Sequence, residues 1–322
     1  MRKKLVAALL FMCATTSAHA QEYPSRPVTV VIGLAAGGAV DLLMRTIAEH
    51  MRGTLGQTIV IENVSGAGGT VATGRVVRAT PDGYTLGMGS MGQYVINGAV
   101  YNLGYDLLND FDPVVLLPSV PYWMVARKTL PARDMAELIA WLKASPGTAT
   151  SAMVGATSVA RLCSLFFQEK TGTTFRFIPY RGGAPALQDL VAGQIDLTCD
   201  LAANSLPQVR GGNIKAYAVM AKQRWFAAPD VPTADEAGVP AIYVTTWHGI
   251  WAPKGTPKSV IAKLTAAAQA AMADAGVRAR LTEQGLEIPP REQQTPDALH
   301  ALQKAEIERW WPIIRAAGIK PE

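Results

Sequence analysis

Ser90, set among glycines in GMGSMG, and His248, in TTWHG, are the residues whose types could carry covalent hydrolysis. A serine nucleophile needs a histidine base, and that base needs a carboxylate behind it. Met88 stands where a nucleophile elbow requires glycine. His50 and His300 fall on helical patterns, which leaves His248 as the candidate base. An extracytoplasmic serine hydrolase is therefore kept as an alternative to a plainer role, in which Ser90 donates a hydrogen bond from a loop. GAGGTV, residues 66–71, opens like a dinucleotide fingerprint, but Val71 occupies the position where glycine or alanine is needed. The P-loop pattern is absent, and no His/Cys/Asp/Glu cluster has metal-ligand spacing. No cofactor is expected.

What recurs instead is a set of short loops of small residues. AAGGAVD (35–41), VSGAGGT (64–70) and GSMGQY (89–94) come from the first part of the chain. MVGATSVAR (153–161), PYRGGAPA (179–186) and CDLAANS (199–205) come from the second. Each falls between a strand-like and a helix-like stretch. Glycines there allow close backbone approach, and the helix that follows offers unpaired N–H groups to an anion.

The elements that must position these loops alternate along the chain. VTVVIGL, TIVIEN and YTLGMGS read as strands, with helical patterns between them. The alternation resumes after residue 131, which predicts βαβ units and parallel sheets in two lobes. FDPVVLLPSVPYWMVARKTLP, residues 111–131, reads as two apolar strands back to back, forming a crossover between lobes. YVTTWHGIWAPKGTP, residues 243–257, is a second crossover. Two lobes so joined leave a cleft at the strands' C-terminal ends, where open α/β sheets bind ligands. The expected division is residues 21–122 and 248–322 in one lobe and 123–247 in the other.

Composition narrows the partners. MRKK, the apolar LVAALLFM and the Ala-x-Ala ending of SAHA make residues 1–20 a secretory signal peptide, so a periplasmic location is expected. Cys13 follows Met12 rather than a small residue, which argues against lipoprotein processing. Removing that segment takes Arg2, Lys3 and Lys4 from 30 basic residues and none from 25 acidic ones, leaving 27 against 25. With a net charge near +2 and no basic run, nucleic acid is not an expected partner. No later apolar stretch is long enough to cross a membrane. Cys163 and Cys199 remain, either paired or as buried thiols.

The segments YPSRPVTVVIGLAAGGAVD, VIENVSGAGG, TPDGYTL, PYRGGAPAL, VPTADEAG, APKGTP and AAGIKPE occur in that order from residue 23 to the C-terminus. In them the chain resembles the substrate-binding proteins of tripartite tricarboxylate transporters, the Bug family. The resemblance implies a type II-like periplasmic binding protein, two α/β lobes with two hinge crossovers. It also implies that a monomer captures an organic carboxylate and delivers it to a large and a small integral-membrane subunit. A ligand-sensing module for a membrane receptor is the further alternative.

Carried over by position, the resemblance places Gly37, Gly38 and Asp41 in the first ligand loop and Ser65, Gly68 and Gly69 in the second. Ser90 follows the third strand. Thr157 and Ser158 form a small polar pair, Tyr180, Arg181 and Gly182 match a Pro-Tyr-Lys-Gly segment, and Asp200 matches an acid after its strand. Arg161 stands where members commonly carry histidine, and IGLAAGG replaces the commoner Pro-Phe-x-Pro-Gly-Gly or Pro-Phe-x-Ala-Gly-Gly. Arg161 or Arg181 could pair a second carboxylate bidentately. Trp247 and His248, at the second crossover, complete the candidate set. Tyr122, Trp123, Trp247 and Trp251 offer ring faces, which raises an aromatic acid, terephthalate-like, as one possible cargo.

Overall fold

The computed structural model describes residues 22–154, 158–180, 183–316 and 318; the signal peptide expected at residues 1–20 lies outside them. In the first lobe β1 (Val28–Ile32), α1 (Ala39–Leu55), β2 (Ile59–Asn63), α2 (Thr70–Val77) and β3 (Thr85–Ser90) form two βαβ units. β1 pairs in parallel with both β2 and β3, as the alternation predicts. GSMGQY departs from a loop. Directly after Ser90 the chain winds into a π-helical turn, Gly92–Ile96, continued by the short α3 (Asn97–Val100).

The proline-rich stretch is one strand, β4 (Phe111–Arg127), not two. Its prolines fall where a missing N–H does least harm. Register shifts lie between Pro113 and Val115 and between Leu117 and Ser119, so Pro118 sits in a bulge.

The second lobe continues with α4 (Met135–Ala144), β5 (Thr150–Val154), α5 (Val159–Thr171), β6 (Arg176–Tyr180), α6 (Gly183–Ala192), β7 (Leu197–Leu201), α7 (Ala202–Arg210) and β8 (Ile214–Val219). β5 pairs in parallel with β6 and β7. The chain then returns through β9 (Thr245–Pro253) and closes with α8 (Lys258–Ala273), α9 (Ala275–Glu283) and α10 (Pro296–Ala316).

The strand order is β2-β1-β3-β9-β4-β7-β5-β6, with β8 also on β4. The sheet is mixed rather than parallel, because β9 runs antiparallel to β3 and β4, and β4 runs antiparallel to β7 and β8. β4 pairs with β9 as far as Pro121↔Thr245 and with β7 from Tyr122↔Leu201 onward. One strand thus belongs to both lobes. Cys163, on α5, and Cys199, on β7, form a disulfide with Cα atoms 6.0 Å apart, which resolves the choice the sequence left open. Trp123, Trp251 and Trp310 are fully buried in the core.

Candidate functional site

A cavity of about 580 Å³ lies where the two lobes face each other, at the level where β4 changes partner. Four helices begin at its edge. Ala39 and Val40 open α1, Gly68 precedes α2, Ser158 and Val159 open α5, and Leu201 and Ala203 open α7; all line it. Gly38 and Leu201, which precede α1 and α7, make no side-chain cap hydrogen bond. Their first-turn N–H groups therefore have no side-chain acceptor at the cap. The remaining polar lining is Ser90, Gln93, Asn97, Tyr122, Tyr180, Thr246, His248 and Gln284. Among the described residues no Asp, Glu, Lys or Arg lines the cavity. Partial positive charge from helix ends, with neutral donors and apolar walls, suits a desolvated anion.

Two glycine loops are shaped by backbone conformation. Gly37 has φ +80°, and residues Gly66, Ala67, Gly68 and Gly69 have φ +138°, +45°, +63° and +94°. Asn97 Nδ2 donates to Gly68 O at 3.0 Å, and Gln93 Oε1 accepts from Ser90 N–H at 3.2 Å. Asn97 thus ties the turn after the third loop to the second loop, and the Gln93 side chain packs against Gly69 of that loop.

Asp41 is buried behind the first loop, with its Oδ2 accepting from Gly37 N–H at 2.8 Å and from Arg45 Nε at 2.8 Å. The Arg45 hydrogen bond holds its carboxyl below the usual range, against the opposing effect of burial. A depressed carboxyl adds stability above its unfolded pKa, and that stability is lost as pH falls through the folded value. Asp41→Ala should therefore lower stability by about 1–3 kcal/mol at pH 7. The gap to the parent should narrow toward pH 3, as read by urea denaturation at both pH values.

The other sequence candidates are placed as follows. Gly68, Ser90, Ser158, Tyr180 and His248 line the cavity; Gly38 and Gly69 adjoin lining residues, and Gly37 is two residues before Ala39, which lines it. Ser158 caps α5, its Oγ accepting from Arg161 N–H at 3.2 Å. Tyr180 OH donates to Asp189 at 2.6 Å, and burial pushes its pKa up to about 12. Ser65, Arg161 and Asp200 are not among the lining residues. Burial raises Asp200 to about 6, partly offset by Ser205, the Leu201 N–H and Asn204. Trp247 lines a second cavity, of about 550 Å³, on the opposite face of β9. Thr157, Arg181 and Gly182 lie outside the described residues.

Of the ring faces, only Tyr122 lines the cleft. Trp123 donates to Ser205 Oγ at 2.8 Å, and Trp251 stacks on Tyr94 at a centroid distance of 3.5 Å.

His248 is 4% exposed and sits opposite Ser90 in the β3–β9 register. Its Nδ1 lies 2.7 Å from Pro118 O, a carbonyl released from the ladder by the bulge. Burial lowers its pKa to about 4, so the ring is neutral at pH 7. The atom behind it is a carbonyl, not the carboxylate that a hydrolytic triad places there. No hydrogen bond joins Ser90 Oγ to the ring among the described residues.

Gln93 lines the cleft from within GSMGQY, and Asn97, Thr246, Gln284 and Leu286 line it without a sequence signal. The last two are brought in by paired backbone bonds between Ser119 and Glu287, 2.9 and 2.8 Å, across a long sequence separation.

Two α/β lobes facing a cleft with helix ends on both walls define a solute-binding receptor. The chain belongs to the tripartite tricarboxylate transporter family receptors, whose family model matches residues 43–319. It is similar to the solved periplasmic binding protein BugD at 39% identity and TM-score 0.80, over 93% of this chain and 100% of that one. It is similar to MatC of Rhodopseudomonas palustris, solved with bound malate, at 41% identity and TM-score 0.80, over 91% and 100%. It is also similar to R. palustris Rpa4515, solved with adipate, at 33% identity and TM-score 0.83, over 94% and 100%. No helix of the described residues is long and apolar enough to cross a membrane.

Proposed function

We infer that this protein is a periplasmic receptor that captures a small organic carboxylate and hands it, unaltered, to the large and small membrane subunits of a tripartite transporter. The observation that carries this is a cleft ringed by four helix N-terminal ends and bordered by no charged side chain among the described residues. The carboxylates held by MatC and Rpa4515 point to the same class. Three of the four aromatic residues offered for a ring are packed elsewhere, so an aliphatic di- or tricarboxylate is favoured over an aromatic acid. No cofactor takes part, and the receptor acts as a monomer that closes by bending where β4 and β9 pass between lobes. Ligand favours closure only by binding the closed form better, which donors on both walls allow.

A thermal-shift panel of mono-, di-, tri- and aromatic carboxylates tests this reading. At a hundred times its dissociation constant the right acid adds about 2.7 kcal/mol and raises the melting temperature. A rise with sugars or cations, and with no acid, would overturn it.

A further inference from the structure

We propose that His248 presents a bare ring nitrogen to the cleft and so selects carboxylates that carry a hydrogen-bond donor, a hydroxyl or ammonium group, over plain ones. This rests on the carboxylate reading above and names a class within it.

The tautomer of His248 is set by its neighbour. A peptide carbonyl can only accept, so the 2.7 Å contact with Pro118 O places the ring proton on Nδ1. That contact is built into the fold, because the β4 bulge takes Pro118 out of the ladder and turns its carbonyl toward the ring. In the neutral ring the remaining nitrogen, Nε2, then carries only a lone pair. The side chain is fixed between strands at 4% exposure and still borders the cavity, beside Thr246 on its own strand and across from Ser90. No acidic or basic side chain among the described lining residues is there to charge or neutralise it. A lone pair facing a second carboxylate oxygen is repulsive. Facing a hydroxyl or ammonium hydrogen, it completes a hydrogen bond. Sites built around a buried acceptor discriminate strongly against analogues that lack the donor.

Matched acids that differ by one hydroxyl read this directly: L-malate against succinate, and citrate against tricarballylate, with L-aspartate as the amine. By isothermal titration the hydroxylated or aminated acid should bind at least about tenfold more tightly than its plain partner. In His248→Asn the amide nitrogen can still donate toward Pro118 while nothing remains at Nε2. The preference should then fall below about threefold, through weaker binding of the substituted acid and not through stronger folding effects on both. Nitrogen-15 NMR of the parent protein supplies an arm that needs no variant. Nδ1 should be protonated and Nε2 bare, and Nε2 should shift when malate or citrate saturates the site. Equal or tighter binding of the plain acids, or a proton on Nε2 in the free protein, overturns the inference and leaves the carboxylate reading standing. Failure of every acid to bind overturns both.

Discussion

Gly33→Ala should lower both stability and ligand affinity, although position 33 carries no functional group. The residue follows β1 directly, and a Cβ built there would lie 2.8 Å from Gly69 Cα and would run into the Gln93 amide. The Gln93 amide has rotamers with which to retreat, whereas the Gly69 backbone can move only by shifting the second glycine loop. Overpacking of this kind costs about 1–3 kcal/mol, a fall of several degrees in melting temperature. The loss of affinity should reach at least about tenfold, because Gln93 also anchors Ser90 N–H and Gly68 sits on the displaced loop. Gly53→Ala is the matched control. It lies on an exposed face of α1, where an added Cβ meets nothing within 4 Å, and should be neutral or slightly stabilising. Urea denaturation and carboxylate titration of the two variants give the comparison; equal behaviour would show that the three loops are not packed as described.

Cys163→Ala/Cys199→Ala has the largest expected effect on stability. The bridge closes a loop of 36 residues, for which the chain-entropy model gives about 4 kcal/mol. That corresponds to a fall on the order of 10 °C in melting temperature. Cys163 lies in the helix whose first residues border the cleft, and Cys199 lies two residues before Leu201 on the same wall. The bridge therefore holds the α5 and α7 starts in register, and ligand affinity should weaken together with stability. Dithiothreitol should reproduce both effects in the parent protein and neither in the double variant.

The first lobe was legible because its β-rich runs and helical stretches alternate without interruption from Val28 to Ser90. β4 was harder to read. Pro113, Pro118 and Pro121 look like strand breaks, yet two fall at register shifts and the third where the strand changes partner. The antiparallel course of β9 also had no local signal, since it depends on a pairing partner more than a hundred residues away.

Site residues separate along similar lines. Glycine loops at helix starts are local features, and those at Gly68 and Ser158 do reach the cleft. Asp41 has the right spacing for a ligand loop, but it is not among the cavity-lining residues, and its Oδ2 is engaged behind that loop by Gly37 and Arg45. Gln284 and Leu286 were invisible because long-range contacts, the Ser119–Glu287 pairing and the Trp225 hydrogen bond to Gly285 O, carry them to the cavity.

The most direct test is a crystal structure of the protein with the tightest-binding acid of the panel. One carboxylate of an intact ligand should lie against main-chain N–H groups at the start of α1 and the Gly66–Gly69 loop, with contacts from α5 or α7 across the cleft. A ligand held by acidic or basic side chains outside that cleft, or found cleaved at Ser90, would contradict this.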